Sequence, residues 1–245
     1  SIFWYLAFSL ATIVSVSASV ISMTLPQFLQ VILAAIFSVY PTPQPSRQQV
    51  VYQNSVYAYA TFSSSNFKLI QNWQSPRKFK DLVLENNCQF AVNGGFYDKQ
   101  NKPIGLVVAN KVTLNPGQKN YLFNGYLSDL GISYESPMMA NWAIQTGPML
   151  WDNNQPIKVK TSNDKSARRG VAIWSTDNIL HFVIFYNPQA ETLGPYLNDL
   201  PEILKSLNIS IKSAINLDGG QASAFYDGKS FLDEIDPVGT VLCAK

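Results

Sequence analysis

Three places in this chain put a polar side chain and glycine where an apolar run stops. The first is Phe90-Ala91-Val92-Asn93-Gly94-Gly95-Phe96-Tyr97-Asp98. The second is Trp142-Ala143-Ile144-Gln145-Thr146-Gly147-Pro148. The third is Ala214-Ile215-Asn216-Leu217-Asp218-Gly219-Gly220-Gln221-Ala222-Ser223. Each apolar run reads as a buried strand. Glycine at its end lets main-chain N–H groups approach a ligand closely. Three such ends in one domain suggest one composite site.

Asp218 is the carboxylate expected to carry chemistry, as nucleophile, base or electrostatic stabiliser of a developing cation. Asp-Gly alone also makes ordinary turns, but the second glycine and the hydroxyl of Ser223 favour a site. Asp98 is a second carboxylate, equally readable as a solvated loop residue. Asn93 and Gln145 can each donate and accept hydrogen bonds to sugar hydroxyls or phosphate oxygens. Gly94, Gly95, Gly147, Gly219 and Gly220 would line the same cleft. Phe96, Tyr97 and Phe225 have rings suited to sugar faces or to the core. His181, the sole histidine, sits in the alternating run Ile179-Leu180-His181-Phe182-Val183 and reads as structural. One histidine rules out a histidine metal cluster and leaves little for a Ser-His-Asp triad.

Together with Lys102-Pro103-Ile104-Gly105-Leu106-Val107-Val108 and Arg168-Arg169-Gly170-Val171-Ala172-Ile173, these motifs resemble the phosphodiester glycosidase family over residues 50 to 245. The resemblance implies cleavage of a sugar-1-phosphodiester. In that chemistry cationic character develops on the sugar and anionic charge on the departing phosphate. A carboxylate suits the first and an arginine with main-chain N–H groups the second. Arg168 aligns with the family's arginine and is therefore the expected phosphate partner, while Arg169 is expected to be exposed. Where the family often carries Arg before Pro-Val, this chain has Asp236-Pro237-Val238. A noncatalytic glycan-binding or envelope scaffold module on the same fold is the alternative reading. No cofactor is expected, although a calcium ion held by Asp and main-chain carbonyls remains open as an alternative.

The elements that must position these residues are legible from pattern. Residues 50–62 alternate as a strand. Ser75-Pro76 starts a helix that Asn86-Asn87 closes. Residues 171–174 and 179–186 flank a hairpin turn, and residues 121–134 suggest another. Helical spacing from Tyr196 to Leu207, between strands at 179–186 and 214–217, suggests a strand–helix–strand crossover. The expected fold is therefore α+β, a single domain with a mixed β-sheet flanked by a few helices.

Bulk composition narrows the function. The formal charge is +2 with no basic stripe, which argues against a nucleic-acid partner. The first 46 residues carry no charged side chain. Ile2 to Leu25 is apolar and long enough for a bilayer, which takes about 20 residues. A signal anchor, a cleaved signal peptide and a two-span hairpin all fit, and a buried helix fits less well for want of a polar face. The division expected is a hydrophobic anchor or signal segment over 1–40, a Pro-rich linker over 41–49 and the catalytic domain over 50–245. The domain would then be exported, membrane-anchored or periplasmic/extracellular, with a glycan or sugar-phosphate substrate. Cys88 and Cys243 are the only cysteines. Export would let them pair; two buried thiols are the other reading.

Overall fold

The structure, a computed structural model, describes residues 47–162 and 164–245. The expectations for residues 1–40, and for the linker up to residue 46, lie outside these residues. In order the chain forms β1 (Gln48–Tyr52), β2 (Ser55–Ser64), β3 (Phe67–Gln71), α1 (Phe79–Glu85), β4 (Phe90–Asn93), β5 (Val107–Ala109), β6 (Val112–Asn115), β7 (Gly125–Ser128), β8 (Gly131–Ser133), β9 (Trp142–Thr146), β10 (Met149–Asp152), β11 (Gln155–Pro156), β12 (Arg169–Ser175), β13 (Leu180–Tyr186), α2 (Leu200–Leu204), β14 (Ile211–Asn216), β15 (Phe225–Tyr226), β16 (Phe231–Leu232) and β17 (Thr240–Ala244).

The strands build three sheets. One runs β1-β2-β13-β12-β14-β10-β11, the second β16-β15-β4-β17-β3, and the third β6-β5-β9-β7-β8. All the paired strands are antiparallel. The expected α+β fold with a mixed sheet is therefore corrected: the domain is mainly β, and among the described residues its α-helices are the two short ones.

The crossover explains the error. The chain does leave β13, pass through a 3-10 turn and α2, and return in β14. However, β12 pairs antiparallel with both strands and sits between them. β13 and β14 thus share a direction without forming a parallel pair. Helical spacing over 196–207 yields only residues 200–204 as α-helix, preceded by a 3-10 turn at Leu197–Asp199. Three further expectations shift locally. Residues 50–62 form parts of two strands, because Gln53 and Asn54 adopt positive φ and turn the chain. The first helix starts at Phe79 rather than beside Ser75, and the Glu234 carboxylate accepts from the Phe79 N–H at 2.9 Å. The hairpins over 121–134 and 171–186 form as β7–β8 and β12–β13.

The uninterrupted apolar runs arise from burial on both faces of the strands. Phe62, Ala172, Phe182, Ile184 and Ile215 of the large sheet face a core shared with Val92 and Leu242 of the second sheet and Ile144 of the third. Val171, Ile173, Val183 and Phe185 face the other way, against Leu200, Ile203 and Leu204. α1 covers the outer face of the second sheet with Phe79, Leu82 and Val83. Cys88 and Cys243 form a disulfide with Cα atoms 5.3 Å apart, fastening the chain before β4 to β17.

Candidate functional site

Antiparallel packing brings the three glycine-bearing strand ends together. The Asp218 N–H donates to the Gly94 carbonyl at 3.2 Å, and the Asn216 N–H donates to the Pro148 carbonyl at 3.1 Å. A Cβ on Gly94 would overlap the Thr240 hydroxyl, and one on Gly219 would lie 2.9 Å from the Arg168 carbonyl. At Gly219 the obstacle is main chain, which cannot give way; at Gly94 it is the Thr240 side chain, which would have to move. Gly95 backs onto the Gln145 carbonyl, Gly147 onto Leu122 and Asn124, and Gly220 takes positive φ at the start of a 3-10 turn.

Asp218 stands just past β14, partly exposed. Burial pushes its carboxyl up to about 7, and the Asp236 carboxylate adds to that rise. A hydrogen bond from the Gly219 N–H at 2.9 Å and the Arg169 guanidinium work in the opposite direction. Desolvation costs the ionised form more than these partners return.

Tyr97 lies in the same locality. Its phenol is raised well above the usual range by burial and by the charges of Asp218, Asp236 and Glu234. Its ring packs on Gly239, where a Cβ would come within 3.0 Å. The loop bearing Asp236 is fastened to the Asp218 turn. The Ile235 and Asp236 N–H groups both donate to the Gln221 carbonyl, at 2.8 and 3.0 Å.

Both arginine side chains are largely withdrawn from solvent. Arg168 is 1% exposed. Its Nε donates to Ser223 Oγ at 2.8 Å, and its Nη2 donates to the carbonyls of Ser223 and Asp233. Burial lowers its pKa, and its hydrogen bonds go to main-chain and hydroxyl oxygens. Arg169 is not exposed as expected: its side chain keeps 14% of its accessible surface. Its guanidinium lies beside Gly219, pairs with Asp164 at 3.4 Å and donates to the Lys165 carbonyl at 2.8 Å. Its Nε is buried without a partner. Burial lowers its pKa, countered by Asp164 and Asp218. Consecutive residues entering a strand point to opposite sides. Arg168 therefore enters the interior while Arg169 turns toward Gly219 and Asp164.

Asn93 and Gln145 hold main chain together. Asn93 Nδ2 donates to the Asp218 carbonyl at 2.8 Å, and Asn93 Oδ1 accepts from the Ala224 N–H at 3.0 Å. Gln145 makes four bonds: its oxygen accepts from the Leu106 and Gln118 N–H groups, and its nitrogen donates to the Gln118 and Phe123 carbonyls. The amide groups expected to face substrate are occupied by backbone. Asp98 accepts from the Gln100 and Lys102 N–H groups at 2.9 Å and closes a local turn. Ser223 is buried as the acceptor for Arg168. Phe96 stacks on Phe123, ring centroids 4.2 Å apart.

In sequence Asp164 lies in the polar run Ser162-Asn163-Asp164-Lys165-Ser166, just before the arginines. Its carboxylate accepts from the Leu197 and Asn198 N–H groups at 2.9 and 2.7 Å while pairing with Arg169. One side chain thus fixes the loop, the turn before α2 and the guanidinium. A carboxylate five residues before an arginine was the available signal. Among the described residues, no group of three or more His, Cys, Asp or Glu side chains could hold a metal.

A profile of the family described as phosphodiester glycosidase matches residues 86–244. The Escherichia coli (strain K12) protein described as uncharacterized protein YigE is 32% identical over 111 residues, covering 38% of this chain and 43% of that protein. Two solved structures share the fold. One, a hypothetical protein from Synechocystis, has a TM-score of 0.61 at 14% identity, covering 80% of this chain and 61% of that one. The other is the zebrafish N-acetylglucosamine-1-phosphodiester alpha-N-acetylglucosaminidase catalytic domain, auto-inhibited by its pro-peptide. Its TM-score is 0.64 at 15% identity, covering 83% of this chain and 84% of that one.

Proposed function

This chain belongs to the phosphodiester glycosidase family, and on that premise we propose that it hydrolyses the glycosyl–phosphate bond of a sugar-1-phosphodiester in an envelope or exported glycan. The observation that carries the proposal is the convergence of the glycine-bearing strand ends on Asp218, whose N–H bonds the Gly94 carbonyl, with the Arg169 guanidinium beside the next residue, Gly219; burial pushes the Asp218 carboxyl up to about 7. A general base works best when its pKa lies near the working pH. In this reading ionised Asp218 takes a proton from water as the water oxygen bonds to the anomeric carbon. The carbon–oxygen bond to phosphate breaks, and the phosphate monoester departs without needing a proton. Arg169, whose guanidinium lies beside Gly219, supplies positive charge to the departing phosphate. Asn93, Arg168, Ser223 and Asp164 are positioning residues, and Tyr97 and Asp236 border the acid.

The disulfide supports an oxidising compartment, hence export. A tether through the apolar residues 2–25 rests on the sequence alone. Among the described residues, no helix is long and apolar enough to cross a membrane.

The test is turnover of a chromogenic N-acetylglucosaminyl phosphodiester and related sugars by the purified chain. Release of phosphate monoester by the unsubstituted protein, abolished in Asp218→Asn, is expected. Saturable glycan binding with no turnover of any phosphodiester would instead identify a binding module.

A further inference from the structure

The loop carrying Asp164 begins at a surface cavity. It encloses about 140 Å³ and is lined in part by Tyr121, Leu122, Pro148, Lys158, Lys160 and Thr161. Ile157 and Val159 pack inward against the two main cores. Their alternation turns Lys158 and Lys160 outward, and both are exposed. Among the described residues neither lysine has an acidic partner. Lys119 and Lys165, on the loops either side, are also exposed. The only acid between residues 157 and 165 is Asp164, which is already committed to Arg169 and two N–H groups. Tyr121 is 87% exposed, and Thr161 Oγ1 is buried without a partner.

Two stretches of chain lead from this cavity toward the acid. The Pro148 carbonyl on its wall accepts from Asn216, two residues before Asp218. Thr161 lies three residues before Asp164, the partner of Arg169. A glycan long enough to extend from Asp218 along these stretches would meet two ammonium groups without acidic partners and an exposed aromatic ring.

We propose that this cavity is a subsite for a further anionic group of the same glycan, a phosphate or carboxylate held by Lys158 and Lys160, with a sugar ring on Tyr121. The inference rests on the hydrolase reading and deepens it. The substrate class becomes a polyanionic glycan rather than a small sugar phosphodiester. Charge on flexible lysines attracts such a chain over roughly a Debye length, about 8 Å at physiological salt, and the ring adds face-on contact.

The test uses the full chain carrying Asp218→Asn, so that bound probes survive. Fluorescein-labelled poly(glycerol phosphate), oligogalacturonate and neutral dextran of matched length are titrated by anisotropy. The expected result is binding of at least one anionic probe about tenfold tighter than dextran. Lys158→Glu/Lys160→Glu should remove about tenfold of that affinity, whereas the charge-matched Lys229→Glu/Lys245→Glu should change it less than about twofold. The better anionic probe tells whether phosphate or carboxylate is held. Equal binding of dextran, or equal losses in the two double variants, would overturn the subsite. Failure of the hydrolase reading would show separately, as absent phosphodiester turnover by the unsubstituted chain, while the titrations still decide the subsite.

Discussion

The Asn93 amide nitrogen donates to the main-chain carbonyl of Asp218 at 2.8 Å, across 125 residues of sequence. The same side chain accepts from Ala224, so one buried amide ties β4 to both ends of the turn carrying the acid. Asn93→Ala should strand a buried carbonyl and a buried N–H, costing about 2–4 kcal/mol. Urea unfolding measures that loss. In the surviving folded fraction kcat should fall more than KM rises, because the acid itself is misplaced. Unchanged kcat per folded molecule would separate Asn93 from the placement of Asp218.

Asp218→Asn should abolish turnover and raise stability. The folded carboxyl titrates at about 7, against about 3.9 in an unfolded chain. Between those values the folded state binds more protons than the unfolded one. Stability therefore falls as pH rises from about 4 to about 7, and the full penalty applies above that. Asparagine carries no such penalty. Its advantage should be absent near pH 4 and reach about 1–2 kcal/mol above pH 7, allowing for solvent at the rim. Thermal melts of both proteins across this range check the sign.

The motifs and their convergence were legible in sequence because glycine at a strand end reports close main-chain approach, as Gly219 against the Arg168 carbonyl and Gly95 against the Gln145 carbonyl illustrate. The hydrogen-bonding capacity of Asn93 and Gln145 was legible, but its use was not. Their partners come from Ala224, Asp218 and the 118–123 loop, and amide composition does not encode that proximity. The roles of Arg168 and Arg169 depended on the phase of one strand, and a one-residue slip exchanges inside for outside. The fold class failed for a similar reason. Apolar runs such as Ala172–Ile173 and Phe182–Phe185 announce burial on two faces, but not whether a sheet or a helix supplies the cover.

Arg168→Ala should be a folding defect. Removing the guanidinium leaves the Ser223 hydroxyl and the carbonyls of Ser223 and Asp233 without that donor, in an interior where Arg168 is 1% exposed. A loss of about 3–5 kcal/mol is expected, read as poor soluble yield and a lowered urea midpoint. Arg169→Ala leaves the largely buried Asp164 carboxylate without its cation but still held by the Leu197 and Asn198 N–H groups, and should cost about 1–3 kcal/mol. Its kcat/KM for a phosphodiester should fall about a hundredfold or more.

Reduction should weaken the second sheet. The Cys88–Cys243 bond closes a span of 155 residues, and loops of that size stabilise by about 2–5 kcal/mol. Cys88→Ser/Cys243→Ser should lower the urea midpoint accordingly. Its opening should register first as amide exchange in β4 and β17, the strands next to the bond. Identical unfolding with and without a reductant would show that the bond contributes no constraint.

Two neighbours of Asp218 act on its proton in opposite directions, which gives the pH profile a signature that misfolding cannot imitate. The carboxylate of Asp236 raises the Asp218 pKa, and the guanidinium of Arg169 lowers it. If Asp218 must be ionised to act, kcat/KM climbs with pH along a limb centred near 7. Asp236→Asn removes a repelling charge and should move that limb to lower pH. Arg169→Lys keeps the charge and should leave the limb close to its place, while costing turnover through lost fork geometry. Arg169→Ala removes the attraction and should move the limb to higher pH. A structural defect lowers the whole curve without displacing it. Opposed displacements in Asp236→Asn and Arg169→Ala would therefore identify Asp218 as the titrating base, and a limb fixed in all three variants would assign the ionisation to another group.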